Sequence, residues 1–189
     1  MKLKHLTFLG LAKVYYRHLF WDFPPSERRP LYKMKALRDL GRYDAWAMTD
    51  ERGRTAAYAT AAMSDGDILL DYLAVCRGKR GKGHGSEMLR LLAEEFSGKT
   101  VFVEVEDPDT APDENSREER VRRLRFYLRG GFSDSGVRCV VYGVPYAILL
   151  AGEKLSTERA KSRLDNIYRN IFSAEAYAGH ICFTEDKLL

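Results

Sequence analysis

The feature that most constrains the fold of this chain is an apolar run that leads through a loop rich in glycine and basic residues into an amphipathic helix pattern. The apolar run ends with Leu73, Ala74 and Val75, and the loop contains Arg80, Gly81, Lys82, Gly83, His84, Gly85 and Ser86. Glycine lets the backbone turn tightly and approach a bulky ligand without a Cβ clash. The N–H groups of a first helical turn lack backbone acceptors and carry the positive end of the helix dipole. This order of elements predicts an anion site, and we expect a phosphorylated cofactor there.

Composition indicates a cytoplasmic globular protein. Hydrophobic residues make up 45% of the 189 residues, which is enough to bury a core. No apolar run reaches the roughly 18–20 residues that span a bilayer, and residues 1–6 lack the features of a secretory signal. Three cysteines without CxxC spacing (Cys76, Cys139 and Cys182) favour neither a disulfide framework nor a metal site. The net charge of +4 is too balanced to indicate a nucleic-acid partner, and we expect no membrane partner either.

Hydrophobic periodicity divides the chain into helices and strands. Helices are predicted at residues 7–20, 30–40, from the loop to 96, 116–129 and 155–172. Strands are predicted at residues 43–48, 55–63, 68–75, 101–105, 138–142 and 146–150. The first three strands are separated by short turns, which indicates antiparallel hairpins. Because later strands alternate with helices, the predicted class is mixed α+β.

Two motifs of this sequence resemble the GNAT superfamily of acyl-CoA N-acyltransferases. The loop at 80–85 resembles the family's R-x-x-G-x-G/A loop, and the residues before it resemble its cofactor-binding strand. The run from Phe126 to Phe132, FYLRGGF, resembles its FY-x-x-GF segment. The resemblance covers about residues 43–150 and implies a central, mixed, mostly antiparallel twisted sheet flanked by helices. We therefore expect a GNAT domain at residues 1–152, on which a C-terminal helical extension packs at 153–189.

The resemblance implies acetyl-CoA as co-substrate, with no metal. Backbone amides of the loop, from Arg80 to Ser86, would hold the pyrophosphate of the coenzyme. Amides near Leu73, Ala74 and Val75 would bind the pantetheine arm and polarise the thioester carbonyl, an oxyanion-type role. His84 fills a variable position of the motif, so we expect it to pack or to cap the helix rather than to take part in the chemistry.

The resemblance also suggests that Tyr127 stabilises or protonates the leaving thiolate, since a phenol is a suitable donor. The alternative is that Tyr127 merely packs on the inner face of its helix, with Val121, Leu124 and Leu128. Three carboxylates are candidates for the base that deprotonates the amine. Asp71 shares a strand face with Leu73 because side chains alternate along a strand, and Glu104 and Glu106 share a face of the next strand. The sequence leaves the choice among the three open, and solvated surface is the more usual explanation for carboxylates at the end of a strand.

The acceptor is expected to be the primary amine of a small molecule. The 107–115 loop is acidic, which favours a cationic amine, and residues 20–29 fall where family members often form the acceptor wall. Glu27 would bind the ammonium group there, or else cap the following helix. The chain lacks a clear counterpart of the family's usual asparagine near Glu118 and Glu119. Two other functions stay open: a non-catalytic acyl-CoA-binding module, and an acetyltransferase of protein N-termini or lysines. We expect a monomer or a homodimer.

Overall fold

Eight strands and seven α-helices are found in residues 1–184, which are the residues that the computed structural model describes. The strands are β1 (Lys2–His5), β2 (Tyr43–Thr49), β3 (Thr55–Ser64), β4 (Asp67–Val75), β5 (Thr100–Glu106), β6 (Ser133–Val141), β7 (Val144–Ala151) and β8 (Ile181–Thr184). The helices are α1 (Phe8–Val14), α2 (Phe20–Asp22), α3 (Leu31–Asp39), α4 (His84–Glu95), α5 (Glu114–Arg129), α6 (Thr157–Ile171) and α7 (Ala174–His180). The predicted α+β class, with a mixed and mostly antiparallel sheet, is confirmed.

The chain divides into two compact units, and the N-terminal unit contains residues 1–63 and 70–96. Its strands follow the order β1-β2-β3-β4, and β1, β2 and β3 pair antiparallel, with Tyr43 opposite Ala62. A π-helical turn at Tyr15–Leu19 joins α1 to α2, and a 3-10 turn at Pro25–Glu27 precedes α3. The core of the N-terminal unit completely buries several large side chains, among them Leu11, Leu19, Met34, Tyr43, Met48 and Tyr58. This core supports the end of β4, from which the glycine-rich loop runs into α4.

The C-terminal unit contains residues 64–69 and the chain from residue 97 onward. Its strands follow the order β5-β7-β6-β8, with Glu104 of β5 opposite Ile148 of β7 and Cys139 of β6 opposite Phe183 of β8. Arg163 of α6 donates hydrogen bonds to Asp67, Thr100 and Glu153, and thereby ties α6 to the starts of β4 and β5. The core buries Phe102, Ile148, Leu164 and Tyr168.

The predicted elements are present, with small changes at their ends. Helix α5 begins at Glu114 instead of residue 116, because the side chain of Asp113 caps it by accepting from the Ser116 N–H at 2.7 Å. Leu128 does not belong to the buried face of α5, since it is 43% exposed. Sequence periodicity missed β1, α7 and β8. The segment 153–184 is therefore not purely helical, although the predicted domain boundary at 152 stays a prediction.

Candidate functional site

The loop between β4 and α4 has the open backbone that the sequence predicts. After Val75, the Cys76 N–H donates to the Ala56 carbonyl at 2.9 Å, and the chain then turns toward Gly81 and Gly83. These two glycines have φ angles of +74° and +75°, a region that a side chain disfavours. Apart from the glycine itself and its two chain neighbours, no heavy atom of residues 1–184 lies within 4 Å of where either Cβ atom would be. The loop therefore has glycine where the backbone requires it and leaves space beside it for a ligand.

Helix α4 starts immediately after Gly83 and presents its amino end without a side-chain cap. The Glu87 N–H donates to the Gly83 carbonyl at 3.0 Å, so the N–H groups of residues 84–86 precede the hydrogen-bond ladder of the helix. Arg80, Lys82 and Ser86 are exposed beside them. His84, which was expected to pack or to cap, makes no capping hydrogen bond and is half-buried, and Gly85 lies inside α4, so it does not form the turn. The loop thus combines helix-end N–H groups with exposed positive charge, as an anion site requires.

A buried carboxylate that sequence analysis missed anchors this loop. Asp22, the last residue of α2, accepts from the Tyr58 hydroxyl at 3.0 Å and from Arg80 Nη2 at 3.3 Å. Arg77 Nε lies 3.6 Å from the same Oδ1 atom that Arg80 contacts. Arg77 also donates to the Trp21 carbonyl at 2.6 Å. Asp22 is separated from Arg80 by 58 residues, so no local pattern reveals the contact.

Cys76, which borders the loop, has the properties of a packing residue. Its side chain is buried, and burial together with the nearby Asp22 carboxylate raises the pKa of the thiol to about 11. A thiol with this pKa is almost entirely protonated near neutral pH and is a poor nucleophile. Cys76 is therefore a small packing residue directly after β4 rather than a nucleophile.

Tyr127 lies on the buried face of α5, in the C-terminal unit. Its ring packs between Phe126 and Phe132, at centroid distances of 5.1 and 5.4 Å. No hydrogen bond to its hydroxyl is found within residues 1–184. Burial raises the pKa of Tyr127 to about 12, against a smaller opposite effect of Arg123. The phenol is therefore protonated at neutral pH and has its proton available for a ligand.

Asp71 on β4 is held by two neighbours. Arg29 Nε lies 3.2 Å from Oδ2 of Asp71, and the Tyr43 hydroxyl donates to the same oxygen at 2.5 Å. Burial, and after it the Asp71 charge, raises the pKa of Tyr43 well above its ordinary value, so this phenol stays a donor. These contacts join the segment before α3 to β4. They give Asp71 a structural role, and its role as a base stays a prediction.

Glu104 and Glu106 on β5 have different partners. The buried Tyr168 of α6 donates to Glu104 and lies 3.6 Å from the Cys139 sulfur. Glu106 accepts from Arg120 at 3.0 Å and from Arg123 at 2.7 Å, both on α5. Glu106 therefore holds α5 beside the end of its strand, while Glu104 is oriented by the helix near the C-terminus. None of these three partners could be predicted from the sequence. The role of Glu104 or Glu106 as the base stays a prediction.

Comparisons with known proteins identify the architecture. No protein-family model matches the chain, and no curated protein matches its sequence. A protein assigned to the GNAT acetyltransferase family from Bacteroides thetaiotaomicron matches with a TM-score of 0.69 and 20% identity, over 87% of this chain and 93% of that one. The ribosomal-protein-S18-alanine N-acetyltransferase of Escherichia coli matches with a TM-score of 0.58 and 18% identity, over 82% and 95%. The phosphinothricin acetyltransferase of Sinorhizobium meliloti, solved in complex with AcCoA, gives 0.55 and 17%, over 80% and 89%.

This chain has the GNAT fold. The fold was predicted from the loop at 80–85 and the FYLRGGF segment, and that prediction is confirmed. One of the matched proteins is named for a ribosomal protein and another for phosphinothricin, so the GNAT fold by itself does not select the acceptor.

Glu27 occupies the last position of the 3-10 turn before α3 and has an exposed side chain. Its carbonyl accepts from the Tyr72 hydroxyl at 2.5 Å, and the Arg29 N–H donates to that same hydroxyl at 2.8 Å. Pro30 is the N-cap residue of α3 and its side chain makes no capping hydrogen bond, and the alternative that Glu27 caps α3 stays a prediction. The predicted contact of Glu27 with an ammonium group stays a prediction.

Within residues 1–184, neither the arginines of α5 nor the side chains that commonly bind metals form a further binding site. Four of the six arginines on α5 have acidic partners: Arg117 with Glu114, Arg120 and Arg123 with Glu106, and Arg122 with Glu119. This pairing favours a solvated helix face over a nucleic-acid surface. Within residues 1–184, no group of His, Cys, Asp and Glu could hold a metal ion, and the three cysteines are free. None of the helices in this part of the chain is long and apolar enough to cross a membrane.

Proposed function

We propose that this protein is an acetyl-CoA-dependent N-acetyltransferase that acts on a primary amine in a reducing cytoplasm. The observation that supports this most directly is the loop between β4 and α4. Gly81 and Gly83 keep it open, the first turn of α4 presents N–H groups beside it, and this loop occurs in a GNAT fold.

The residues of the loop fit a diphosphate. The N–H groups of residues 84–86 would bind its oxygens, and Arg80 and Lys82 would add positive charge from exposed positions. Leu73, Ala74 and Val75 at the end of β4 are only partly buried, which leaves their backbone within reach of a ligand arm. When bound, acetyl-CoA supplies an acetyl group activated as a thioester. The backbone N–H groups near Val75 would stabilise negative charge on the carbonyl oxygen.

Tyr127 would act on the leaving sulfur as a hydrogen-bond donor. Its pKa of about 12 lies above the roughly 8.5 of a free thiol, so complete proton transfer is uphill by about 5 kcal/mol. A phenol that stays protonated can nevertheless stabilise a thiolate by donating to it, and a buried donor does so more strongly than an exposed one. The buried ring and the absence of a hydroxyl partner within residues 1–184 support this role.

We propose a small-molecule amine as the acceptor, and Asp71, Glu104 or Glu106 as the group that takes its proton. One matched protein, from E. coli, is named for a ribosomal protein, so a protein N-terminus should be tested in addition to small amines. The acidity of the 107–115 loop gives weaker support for a cationic amine than the sequence suggested, because Arg138 lies near Asp107 and Arg120 donates to the Asp107 carbonyl at 2.8 Å. We propose no nucleic-acid or membrane partner, and a monomer or homodimer.

A second candidate function is an acyl-CoA-binding module without catalysis. The observation in its favour is that all three candidate bases have tight partners: Arg29 and Tyr43 for Asp71, Tyr168 for Glu104, and two arginines for Glu106. A module would bind acetyl-CoA and release no coenzyme A whichever amine is present.

Calorimetry with acetyl-CoA followed by a thiol-release assay separates these possibilities. We expect binding heat from the purified protein, and release of free coenzyme A with at least one amine from a panel of small amines, lysine peptides and N-terminal peptides. Binding without release across the whole panel would support the module. An absence of binding heat would contradict both functions.

A further inference from the structure

The carboxylate of Asp22 is fixed in one position by its own surroundings. Its side chain is 2% exposed, and Oδ2 accepts the hydroxyl of Tyr58, which is itself completely buried. Moving Asp22 would leave that buried hydroxyl without its partner, which is costly. The other oxygen, Oδ1, faces Arg77 and Arg80 of the loop between β4 and α4. Asp22 is therefore a fixed anion that faces the cationic side chains of this loop.

Arg80 is held at two of its three nitrogen atoms. Nε donates to the Val75 carbonyl at 3.2 Å, and Nη2 donates to Asp22. No bond to Nη1 is found within residues 1–184, and the side chain is 64% exposed. The guanidinium is thus tied to the protein on one side and open to solvent on the other. A planar guanidinium held in this way can still offer donors to a phosphate.

We propose that Asp22 is a positioning residue that fixes Arg80 for the phosphates of coenzyme A. The inference rests on the proposed function, because it assumes that the loop binds the coenzyme. Ordering a free, rotamer-rich side chain on binding weakens affinity by about 2- to 12-fold. Asp22 removes that cost for Arg80 by ordering the side chain before the ligand arrives. It does so through Arg80, without touching the ligand.

The test measures the dissociation constant of coenzyme A by calorimetry for the wild-type chain, Asp22→Asn, Arg80→Gln and the double variant. We expect Asp22→Asn to raise the constant about 3- to 10-fold. We expect the double variant to be no weaker than Arg80→Gln alone, because the proposed effect of Asp22 on the coenzyme acts through Arg80. The matched control is Asp50→Asn, which removes a carboxylate that contacts the same loop through Lys79 at 3.4 Å, and we expect its constant to stay within about 2-fold of wild type.

A second variant covers the case in which Asp22→Asn does not fold. Arg80→Lys changes an exposed side chain and keeps its charge, but lysine has no fork that can bond Val75 and Asp22 together. We expect it to weaken binding as much as Asp22→Asn does. Unchanged or tighter binding in Asp22→Asn, additive effects in the double variant, or wild-type affinity in Arg80→Lys would each overturn the proposal. If the wild-type chain fails to bind coenzyme A, the proposed function fails with it; if only the variants behave as wild type, the inference alone fails.

Discussion

The loops that follow β4 and β5 use charge in opposite ways. The first loop supplies cations, and the anion that faces them, Asp22, comes from α2. The second loop begins at Asp107, directly after Glu106 at the end of β5. These two anions face cations that come from α5 and β6. In the first case the cations stay outside, because Arg80 is 64% exposed. In the second case the pair of Glu106 and Arg120 is mostly covered, at 23% and 13% exposed, while the second partner, Arg123, is 48% exposed.

The difference in exposure indicates a difference in task. Exposed guanidiniums beside a helix amino end remain available to an anionic ligand, so the first loop is suited to binding. Shielded ion pairs hold one element against another, so the second loop is suited to fixing α5, the helix that carries Tyr127. We therefore expect variants in the first region to change affinity for the coenzyme, and variants of α5 to change turnover or stability.

The largest expected effect comes from removing the phenol on α5. Tyr127→Phe should lower kcat about 100-fold or more, which is the lower end for loss of one hydrogen-bond donor to developing negative charge. The affinity of this variant for coenzyme A should stay close to that of wild type. Steady-state kinetics measures kcat, and calorimetry measures the affinity. Tyr142→Phe, at an exposed tyrosine, is the matched control. Equal losses in both variants, or unchanged turnover in Tyr127→Phe, would remove the assignment.

The next effect tests the first loop. Gly83→Ala places a side chain at a φ angle of +75°, which costs about 1–2 kcal/mol of backbone strain. We expect the dissociation constant of coenzyme A to rise about 10-fold, with kcat at saturation unchanged. Gly78→Ala is the control, because Gly78 has the same φ angle and the same open space but lies outside the segment 81–86. Similar losses in affinity for both variants would point to general strain in the loop.

A smaller effect is expected for the second loop. Glu106→Gln removes the charge that both Arg120 and Arg123 face, and we expect a loss of about 1–2 kcal/mol in the free energy of unfolding, measured in urea. Glu114→Gln, whose exposed carboxylate pairs with Arg117, should change stability by less than about 0.5 kcal/mol. If Glu106→Gln keeps full stability and loses the acidic limb of the pH–rate profile, Glu106 is the base and its structural role is minor.

The smallest effect concerns the thiol beside the first loop. Burial holds the pKa of Cys76 at about 11, so its proton is bound more tightly in the folded chain than in the unfolded one. That contribution to stability is complete below about pH 8.5 and is lost as the pH rises toward 11. In Cys182→Ser, which removes the exposed thiol, labelling by a thiol reagent should be slow at pH 8 and faster toward pH 11. Rapid labelling of Cys76 at pH 8 would show that it is a reactive thiol.

Elements that depend on residues close together in the chain were predicted from the sequence, and elements that depend on distant partners were missed. The helix that begins after Gly83 and the strand that ends at Val75 were found because glycine, apolar periodicity and helix starts act over a few residues. The short β1 and β8 were missed because four residues give little periodicity, and each strand is stabilised by pairing with a partner distant in sequence. The predicted start of α5 was two residues late because Asp113, the residue that caps the helix, lies three residues before residue 116.

Local backbone preferences were enough to predict the loop from Arg80 to Ser86, and the resemblance carried by that loop and the FYLRGGF segment was enough to predict the fold. Which charges meet, in contrast, depends on how the folded chain packs. Asp22 reaches Arg80 across 58 residues of sequence, and Tyr168 reaches Glu104 across 64. Such contacts arise when the core packs and brings distant elements together, and a buried polar group then needs whichever partner the packing places beside it. The choice among the three candidate bases, Asp71, Glu104 and Glu106, likewise depends on contacts between residues that are distant in the sequence.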